Sequence, residues 1–157
     1  MMINEVYNKR ILELAANIER LRRLDAPDAT ATAVSRLCGS KVTVDICMSG
    51  DTVTDFGHEV KACALGQASS SLMARHVVGS SADELRELRR RMYAMLKEEG
   101  DPPGGRWSEF EVLLPVRGFK PRHASTLLTF DAVVDAIGQI EARRNQGTPA
   151  EATTPSA

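Results

Sequence analysis

An alternating segment near the middle of the chain constrains the fold most. From Lys41 to Met48 apolar residues occupy every second position, the pattern of a β-strand with one buried face. Ser49-Gly50-Asp51 then has turn composition, and a further extended segment runs from Thr52 to about Ala62. Residues 30–37 are rich in Ala, Thr and Val and predict another strand, which precedes the alternating segment. Three strands joined by short turns predict a small antiparallel sheet with one face covered by helices.

The rest of the chain has helical periodicity. Residues 3–23 predict an amphipathic helix, and a second helix is expected from Cys63 through Val78. Ser81-Ala82-Asp83-Glu84 has the pattern of a capping box that opens a third helix. Glu109 to Val116 is a short apolar stretch, and a final helix is expected from Ser125 to about Arg144. The fold class is therefore predicted as α+β, with a three-stranded antiparallel sheet packed against helices.

The length and the net charge of the chain limit the kinds of protein it can be. The 157 residues predict one domain over residues 1–145 and a disordered tail over 146–157, where Thr, Pro, Ala and Gly prevail. The net charge of −1 gives no basic excess for nucleic acid. No apolar run is long enough to span a membrane. The polar segment Met1 to Arg10 lacks a signal-peptide core, so we expect a cytoplasmic protein.

Three cysteines are the residues most suited to carry chemistry. In the cytoplasm Cys38, Cys47 and Cys63 are expected to stay reduced, because that compartment disfavours structural disulfides. Cys47 lies in mid-strand without polar flanking residues, which favours a small packed side chain. Cys38 and Cys63 lie instead at the ends of regular elements, where the backbone can bring two thiols to one point.

The surroundings of these two thiols favour metal or sulfur chemistry. Cys63 is placed at a predicted helix N-terminus, where N–H groups and the helix dipole stabilise an anion. Cys38 precedes Gly39, which allows a sharp turn and leaves the sulfur accessible. His123, just before the last helix, is the candidate to complete a metal site. The other two histidines are interpreted as packed or surface side chains: His58 and His76.

At these residues the chain resembles the U-type, NifU-like iron–sulfur cluster assembly scaffold proteins. Leu37-Cys38-Gly39 is similar to the family's first motif, Cys-Gly-Asp. Lys61-Ala62-Cys63, followed by Gln67-Ala68-Ser69-Ser70-Ser71, resembles the second closely. Pro115 to Leu128 looks like the stretch that leads into the third cysteine. The resemblance covers residues 6–140.

The resemblance implies a SufE/NifU-like fold and a scaffold without turnover chemistry of its own. The long segment between the second and third motifs, which includes Trp107 to Val116, is more similar to the SufU-type branch, which binds zinc and accepts sulfur from a cysteine desulfurase. In that branch an arginine stands three residues before the third cysteine, and it corresponds to Arg122 here.

The chain departs from the family pattern at two ligand positions. Ser40 replaces the Asp of Cys-Gly-Asp, and Ser125 aligns with the third Cys. The family's histidine before that cysteine falls on Ala124, so His123 is displaced by one residue. Neutral serine oxygens are poorer ligands for zinc or iron than thiolate or carboxylate.

Three functional hypotheses follow. The first is a scaffold or carrier that holds iron or a transient iron–sulfur cluster through Cys38 and Cys63, with His123 assisting. The second is a zinc-dependent sulfur acceptor for a cysteine desulfurase, and the third is a metal-free binding or regulatory module. The partners implied by the resemblance are a cysteine desulfurase and apo iron–sulfur acceptor proteins. A homodimer is a further expectation, and one form of it bridges a cluster between two copies.

Overall fold

The structure of this chain is a computed structural model that describes residues 8–37 and 39–153, with side chains described as far as residue 146. Three strands are followed by helices, with one helix before them. In chain order the elements are α1 (Lys9–Ala16), β1 (Ala29–Ser35), β2 (Ser40–Ser49), β3 (Thr52–Lys61), α2 (Ala64–His76), α3 (Ala82–Lys97), a long 3-10 segment (Gly105–Gly118), a short one (Lys120–Arg122) and α4 (His123–Thr153).

The three strands form one antiparallel sheet in the order β1-β2-β3, as predicted. Val44 lies opposite Ala31 on one side and opposite His58 on the other. Cross-strand partners face the same side of a sheet, so these residues share the inner face, and all three are buried. The alternation of β2 therefore orients the sheet toward the core.

Helices α2 and α4 cover the inner face of the sheet and pack on each other, while α3 packs on α4. The capping box of α3 forms as predicted: the Ser81 hydroxyl accepts from the Glu84 N–H, and the Glu84 carboxylate accepts from the Ser81 N–H. Arg90 and Arg91 of α3 form ion pairs with Glu87 of the same helix, and Arg89 forms one with Asp131 of α4. These ion pairs balance the positive charge of the three arginines.

The predicted first helix is only partly right. Of the range 3–23, residues 9–16 are helical; residues 17–23 are not, and residues 1–7 lie outside the described part. The chain instead follows the outer edge of β3, where the Arg20 carbonyl accepts from the His58 N–H. The His58 ring donates from Nε2 to the Glu19 carbonyl at 2.9 Å. Hydrogen bonding to the sheet edge thus replaces the last turns of the helix.

A glycine allows this close crossing. A Cβ atom at Gly57 would overlap the carbonyl oxygen of Arg22 and approach the Leu24 side chain at 3.3 Å. Beneath the crossing, buried Asp45 accepts hydrogen bonds from the Arg23 side chain and from the Leu24 N–H. The segment therefore covers one edge of the sheet and part of its outer face.

The apolar stretch near residue 110 belongs to the long 3-10 segment. Trp107, Phe110, Leu113 and Val116 are buried and follow one another at intervals of three. A 3-10 helix has three residues per turn, so these side chains line one side. The spacing is visible in the sequence, and it distinguishes this segment from an α-helix.

The final helix starts earlier and ends later than predicted. It begins at His123 and is assigned as far as Thr153, so it overlaps the start of the tail predicted as disordered. The domain boundary at residue 145 stays a prediction. None of the helices in the described part combines the length and apolar character needed to cross a membrane.

Candidate functional site

The described residues that flank the β1–β2 turn lie at the same end of the sheet as Cys63. Lys41, at the start of β2, lies opposite Lys61, at the end of β3. The β1–β2 turn therefore lies at the end where the chain leaves β3 for Cys63. Cys38 is outside the described residues, but its neighbour Gly39 has φ = +70°, and the Gly39 N–H donates to the Ser35 carbonyl at 2.9 Å. A positive φ favours glycine, so this turn depends on it.

Cys63 is the N-cap residue of α2, as the sequence predicts. Its backbone is extended (φ −67°, ψ 174°), and its carbonyl accepts from the Gln67 N–H. The side chain makes no capping hydrogen bond, and the residue is half-buried. The sulfur is thus held at a helix N-terminus without being used to cap it, a position that suits a thiolate ligand.

Ser125 provides the second group at the site. Its Oγ lies 3.4 Å from Cys63 Sγ, so residues far apart in the chain meet in space. The Ser125 hydroxyl also lies 3.3 Å from the Arg122 carbonyl, to which it can donate. One hydroxyl hydrogen serves one acceptor at a time, so while it is on Arg122 the Cys63 thiol donates to the oxygen.

A second glycine fixes this contact. A Cβ atom at Gly66 would lie 3.2 Å from the Ser125 carbonyl oxygen and 2.6 Å from the Ala62 Cβ. The first turn of α2 therefore packs directly against the first turn of α4. The sequence motif around Cys63 does not by itself indicate a role for Gly66, although a glycine inside a helix is a visible signal.

His123 is buried and donates from Nε2 to two main-chain carbonyls of the long 3-10 segment. The distances are 2.9 Å to the Val116 oxygen and 3.0 Å to the Arg117 oxygen. This nitrogen carries the proton and cannot also bind a metal, so a role as ligand requires Nδ1. In this structure the ring holds the 3-10 segment to the start of α4.

The remaining two candidates, Ser40 and Arg122, contact residues of the surrounding fold. Ser40 is buried and lies opposite Ser35, where β1 and β2 meet. The Arg122 guanidinium lies over the Phe119 ring, with its central carbon 5.8 Å from the ring centre. Among the described residues, which exclude Cys38, no group of three or more His, Cys, Asp or Glu side chains gathers as a metal site.

The serines that follow Cys63 let α2 pack closely. Ser69, Ser70 and Ser71 are fully buried, and the Ser69 hydroxyl donates to the Gly66 carbonyl at 3.2 Å. Within the described part of the chain, the hydroxyls of Ser70 and Ser71 have no hydrogen-bond partner. Their small size fits the contact between α2 and α4.

Two polar clusters that the motifs did not indicate lie elsewhere on the molecule. In the first, burial would raise the pKa of Asp45, but hydrogen bonds from Arg23, Thr30 and the Leu24 N–H lower it below its ordinary value. Arg23 Nε lies 2.7 Å from the carboxylate. This cluster pins the N-terminal segment to the outer face of the sheet.

The second cluster centres on Glu109 of the long 3-10 segment. Its carboxylate pairs with Arg10 of α1 and with Arg75 and His76 of α2. Burial would raise the pKa of Glu109, but hydrogen bonds from these three side chains outweigh it and lower that pKa to about 2. Glu109 therefore ties α1 and α2 to the 3-10 segment.

Two solved structures have the same fold as this chain and align with most of its length. The structure is similar to that of a nitrogen-fixing NifU-like protein (N-terminal) from Brucella abortus, with a TM-score of 0.89 and 62% identity over 90% of this chain and 99% of that one. A putative SUF-system scaffold from Fervidobacterium islandicum shares the fold at a TM-score of 0.79 and 19% identity, covering 85% of this chain and 98% of that one.

Two curated proteins match by sequence. The iron–sulfur cluster assembly scaffold protein IscU of Streptococcus pyogenes is 27% identical over 86% of this chain and 84% of its own. The scaffold protein of the same name from Thermotoga maritima is 21% identical over 89% of this chain and 98% of its own. A model of the NifU-like N terminal domain matches residues 6–103, well over half of the sequence. This chain therefore belongs to the NifU-like N-terminal domain family.

Proposed function

We propose that this protein is a scaffold or carrier in iron–sulfur cluster assembly. The family supports the general role, since two curated relatives are scaffold proteins of that process. The observation that carries the proposal for this chain is the Cys63–Ser125 contact of 3.4 Å, at the end of the sheet where the β1–β2 turn lies. The protein holds its cargo and performs no turnover chemistry.

The cargo is iron or a transient cluster, and Cys38 and Cys63 supply the thiolates. Cys63 is half-buried and its sulfur makes no capping hydrogen bond, so it has room to accept a metal. Lys41 and Lys61, exposed and paired at this end, add positive charge that favours an anionic thiolate-bound cargo. Ser125 adds a neutral oxygen beside Cys63.

This set of donors suits a weakly held cargo better than it suits a permanently bound zinc ion. A closed structural zinc site uses four strong ligands, usually thiolate or imidazole. Ser125 is a neutral hydroxyl, and His123 uses Nε2 as a donor to main-chain carbonyls. Few strong ligands suit a carrier, because it must release what it binds. A cysteine desulfurase as sulfur source and apo acceptor proteins as recipients complete the proposal.

Anaerobic reconstitution with ferrous iron and sulfide tests the proposal. The wild-type protein should acquire visible sulfur-to-iron charge-transfer absorption, and both Cys38→Ser and Cys63→Ser should lose it. Cys47→Ser is the matched control: Cys47 lies toward the opposite end of β2, with its sulfur 3.5 Å from the Ala26 carbonyl, and the variant should keep the absorption. A colourless wild-type protein would support the metal-free hypothesis instead.

A further inference from the structure

The outer face of the sheet is covered at one end and open at the other. Where the N-terminal segment crosses it, Asp45 accepts hydrogen bonds from the Arg23 side chain and from the Leu24 N–H. Toward Cys63 the same face carries a shallow groove of about 270 Å³ instead. The side chains that line this groove come from β2 and β3: Lys41, Thr43, Glu59 and Lys61.

The register of β2 and β3 places three charged side chains on this groove. Lys41 lies directly opposite Lys61, and Glu59 lies opposite Thr43 on the same face. Like charges directly opposite each other destabilise a pair of antiparallel strands. All three charged side chains are exposed, and none of them forms an ion pair with another described residue. The groove therefore offers two positive charges and one negative charge to a ligand.

A hydroxyl at the floor of the groove adds a directional contact. Thr43 is buried, and its Oγ1 lies 3.0 Å from the Oγ1 of Thr32 on β1. While Thr32 donates in this pair, the hydroxyl hydrogen of Thr43 can point to an acceptor in the groove. A carboxylate placed there can accept from Thr43 and pair with the lysines, and an ammonium group beside it can pair with Glu59. A carboxylate and an ammonium group on one small molecule are the chemistry of an α-amino acid.

The position of the groove adds a third property to the ligand. Lys61 ends β3 two residues before Cys63, so the groove lies at the end of the sheet where the chain leaves for the candidate site. Ser125, beside the Cys63 sulfur, is a neutral hydroxyl and a poor ligand for iron. Iron held by Cys38 and Cys63 is therefore short of strong ligands. A small molecule in the groove can supply one if it carries a thiol.

We propose that this groove binds a small thiol that carries an α-amino-acid group, and that the thiolate of the bound molecule is a third strong ligand to iron held by Cys38 and Cys63. The role of the thiolate rests on the proposed function, whereas binding in the groove does not require iron. As the sulfur–iron bond forms, the thiol proton passes to solvent and no electron is transferred. Free cysteine and glutathione are two sources of this chemistry.

Titration of the iron-free, full-length protein tests the groove alone. S-methylcysteine or S-methylglutathione is added at constant ionic strength while backbone amide NMR signals are followed, because a methylated sulfur does not compete for metal. We expect saturable shifts at the four lining residues, and the tighter probe identifies the source. Lys41→Gln/Lys61→Gln should weaken binding about tenfold. Lys9→Gln/Lys97→Gln, which changes two exposed lysines of α1 and α3, is the matched control and should bind like wild type.

Glu59→Gln distinguishes recognition of an amino acid from attraction of any anion. The substitution makes the groove more positive, so acetate should bind more tightly. The S-methyl probes should instead bind about threefold more weakly, because their ammonium group loses its partner. Tighter binding of the probes by Glu59→Gln would overturn the proposal. A wild-type protein without shifts at the lining residues, or with equal shifts in Lys41→Gln/Lys61→Gln, would overturn it too.

Removal of ferrous iron by a chelator tests the third ligand. The free thiol that corresponds to the tighter probe should slow iron loss about fivefold in the wild-type protein. Its S-methyl form should have no effect, and Lys41→Gln/Lys61→Gln should show no slowing with either. Equal slowing in that variant would contradict the role of the groove. A protein that binds no iron but keeps the amide shifts would contradict the proposed function and would confirm the groove as a binding site.

Discussion

The Asp45 cluster and the Cys63–Ser125 contact are opposite kinds of polar site. Asp45 is fully buried, and both of its carboxylate oxygens accept hydrogen bonds from the surrounding side chains or main chain. Cys63 is half-buried, and its sulfur has a single polar contact, at 3.4 Å, among the described residues. A saturated site, in which every polar atom already has hydrogen-bond partners, has no capacity left to bind a ligand. An unsaturated thiol, with few such partners, still has that capacity. The first therefore supports the fold, and the second is suited to bind cargo.

The largest expected effect comes from breaking the saturated site. Asp45→Asn removes the buried charge that accepts hydrogen bonds from the half-exposed Arg23, and it should lower the free energy of unfolding by about 2 kcal/mol. Urea unfolding followed by circular dichroism measures this. Asp55→Asn is the matched control: its carboxylate is 45% exposed and pairs with Arg20 at 3.4 Å, so the loss should stay below about 1 kcal/mol. Equal losses in the two variants would contradict the distinction.

The Glu109 cluster extends the comparison to pH. Because the pKa of Glu109 in the folded protein is about 2, below its ordinary value of 4.5, the carboxylate stabilises the fold above pH 4.5. That stabilisation is lost as the pH falls toward 2. Glu109→Gln should therefore cost about 1–2 kcal/mol at neutral pH and progressively less in acid.

The free energy of unfolding, measured at a series of pH values, checks this prediction. Glu111→Gln is the control, because Glu111 is a nearby exposed carboxylate. That control should reproduce the wild-type curve. A Glu109→Gln variant with the same pH dependence as wild type would show that the cluster does not contribute to stability.

The smallest effect on stability is expected at the unsaturated site. Ser125→Ala removes two long contacts, with the Cys63 sulfur and with the Arg122 carbonyl, and should change the free energy of unfolding by only about 1 kcal/mol. Ser125→Cys should instead change the hold on cargo, because a thiolate is a much stronger ligand than a hydroxyl. Chelator-driven loss of iron should be slower in Ser125→Cys than in wild type and unchanged in Ser125→Ala. Faster loss in Ser125→Ala would make the serine itself a ligand.

The sequence predicted best where one local rule determines the structure. The alternation of β2 and the Ser81–Glu84 capping box each depend on a short pattern, and both are confirmed. The prediction of a helix over residues 3–23 was wrong after residue 16, because the carbonyls of Glu19 and Arg20 accept hydrogen bonds from His58 of β3. Such long-range hydrogen bonds leave no periodic signal in the sequence.

The site shows the same division. The position of Cys63 at the start of a helix followed from local pattern, and the structure has it as an N-cap residue. The contact with Ser125 depends on the close approach of α2 and α4 at Gly66, which spacing alone does not show. The use of His123 Nε2 by two carbonyls of the 3-10 segment depends equally on tertiary packing. Cys38 lies outside the described residues, and its role stays a prediction.

The convergence of the Cys38 and Cys63 thiols is most directly tested by a short bifunctional thiol reagent. It is applied to native Cys47→Ser protein, and peptide mapping by mass spectrometry identifies the products. We expect one intramolecular link between the two thiols, which bound iron prevents and denaturation abolishes. Separate single modifications of Cys38 and Cys63 in the native protein, with no link between them, would contradict the account.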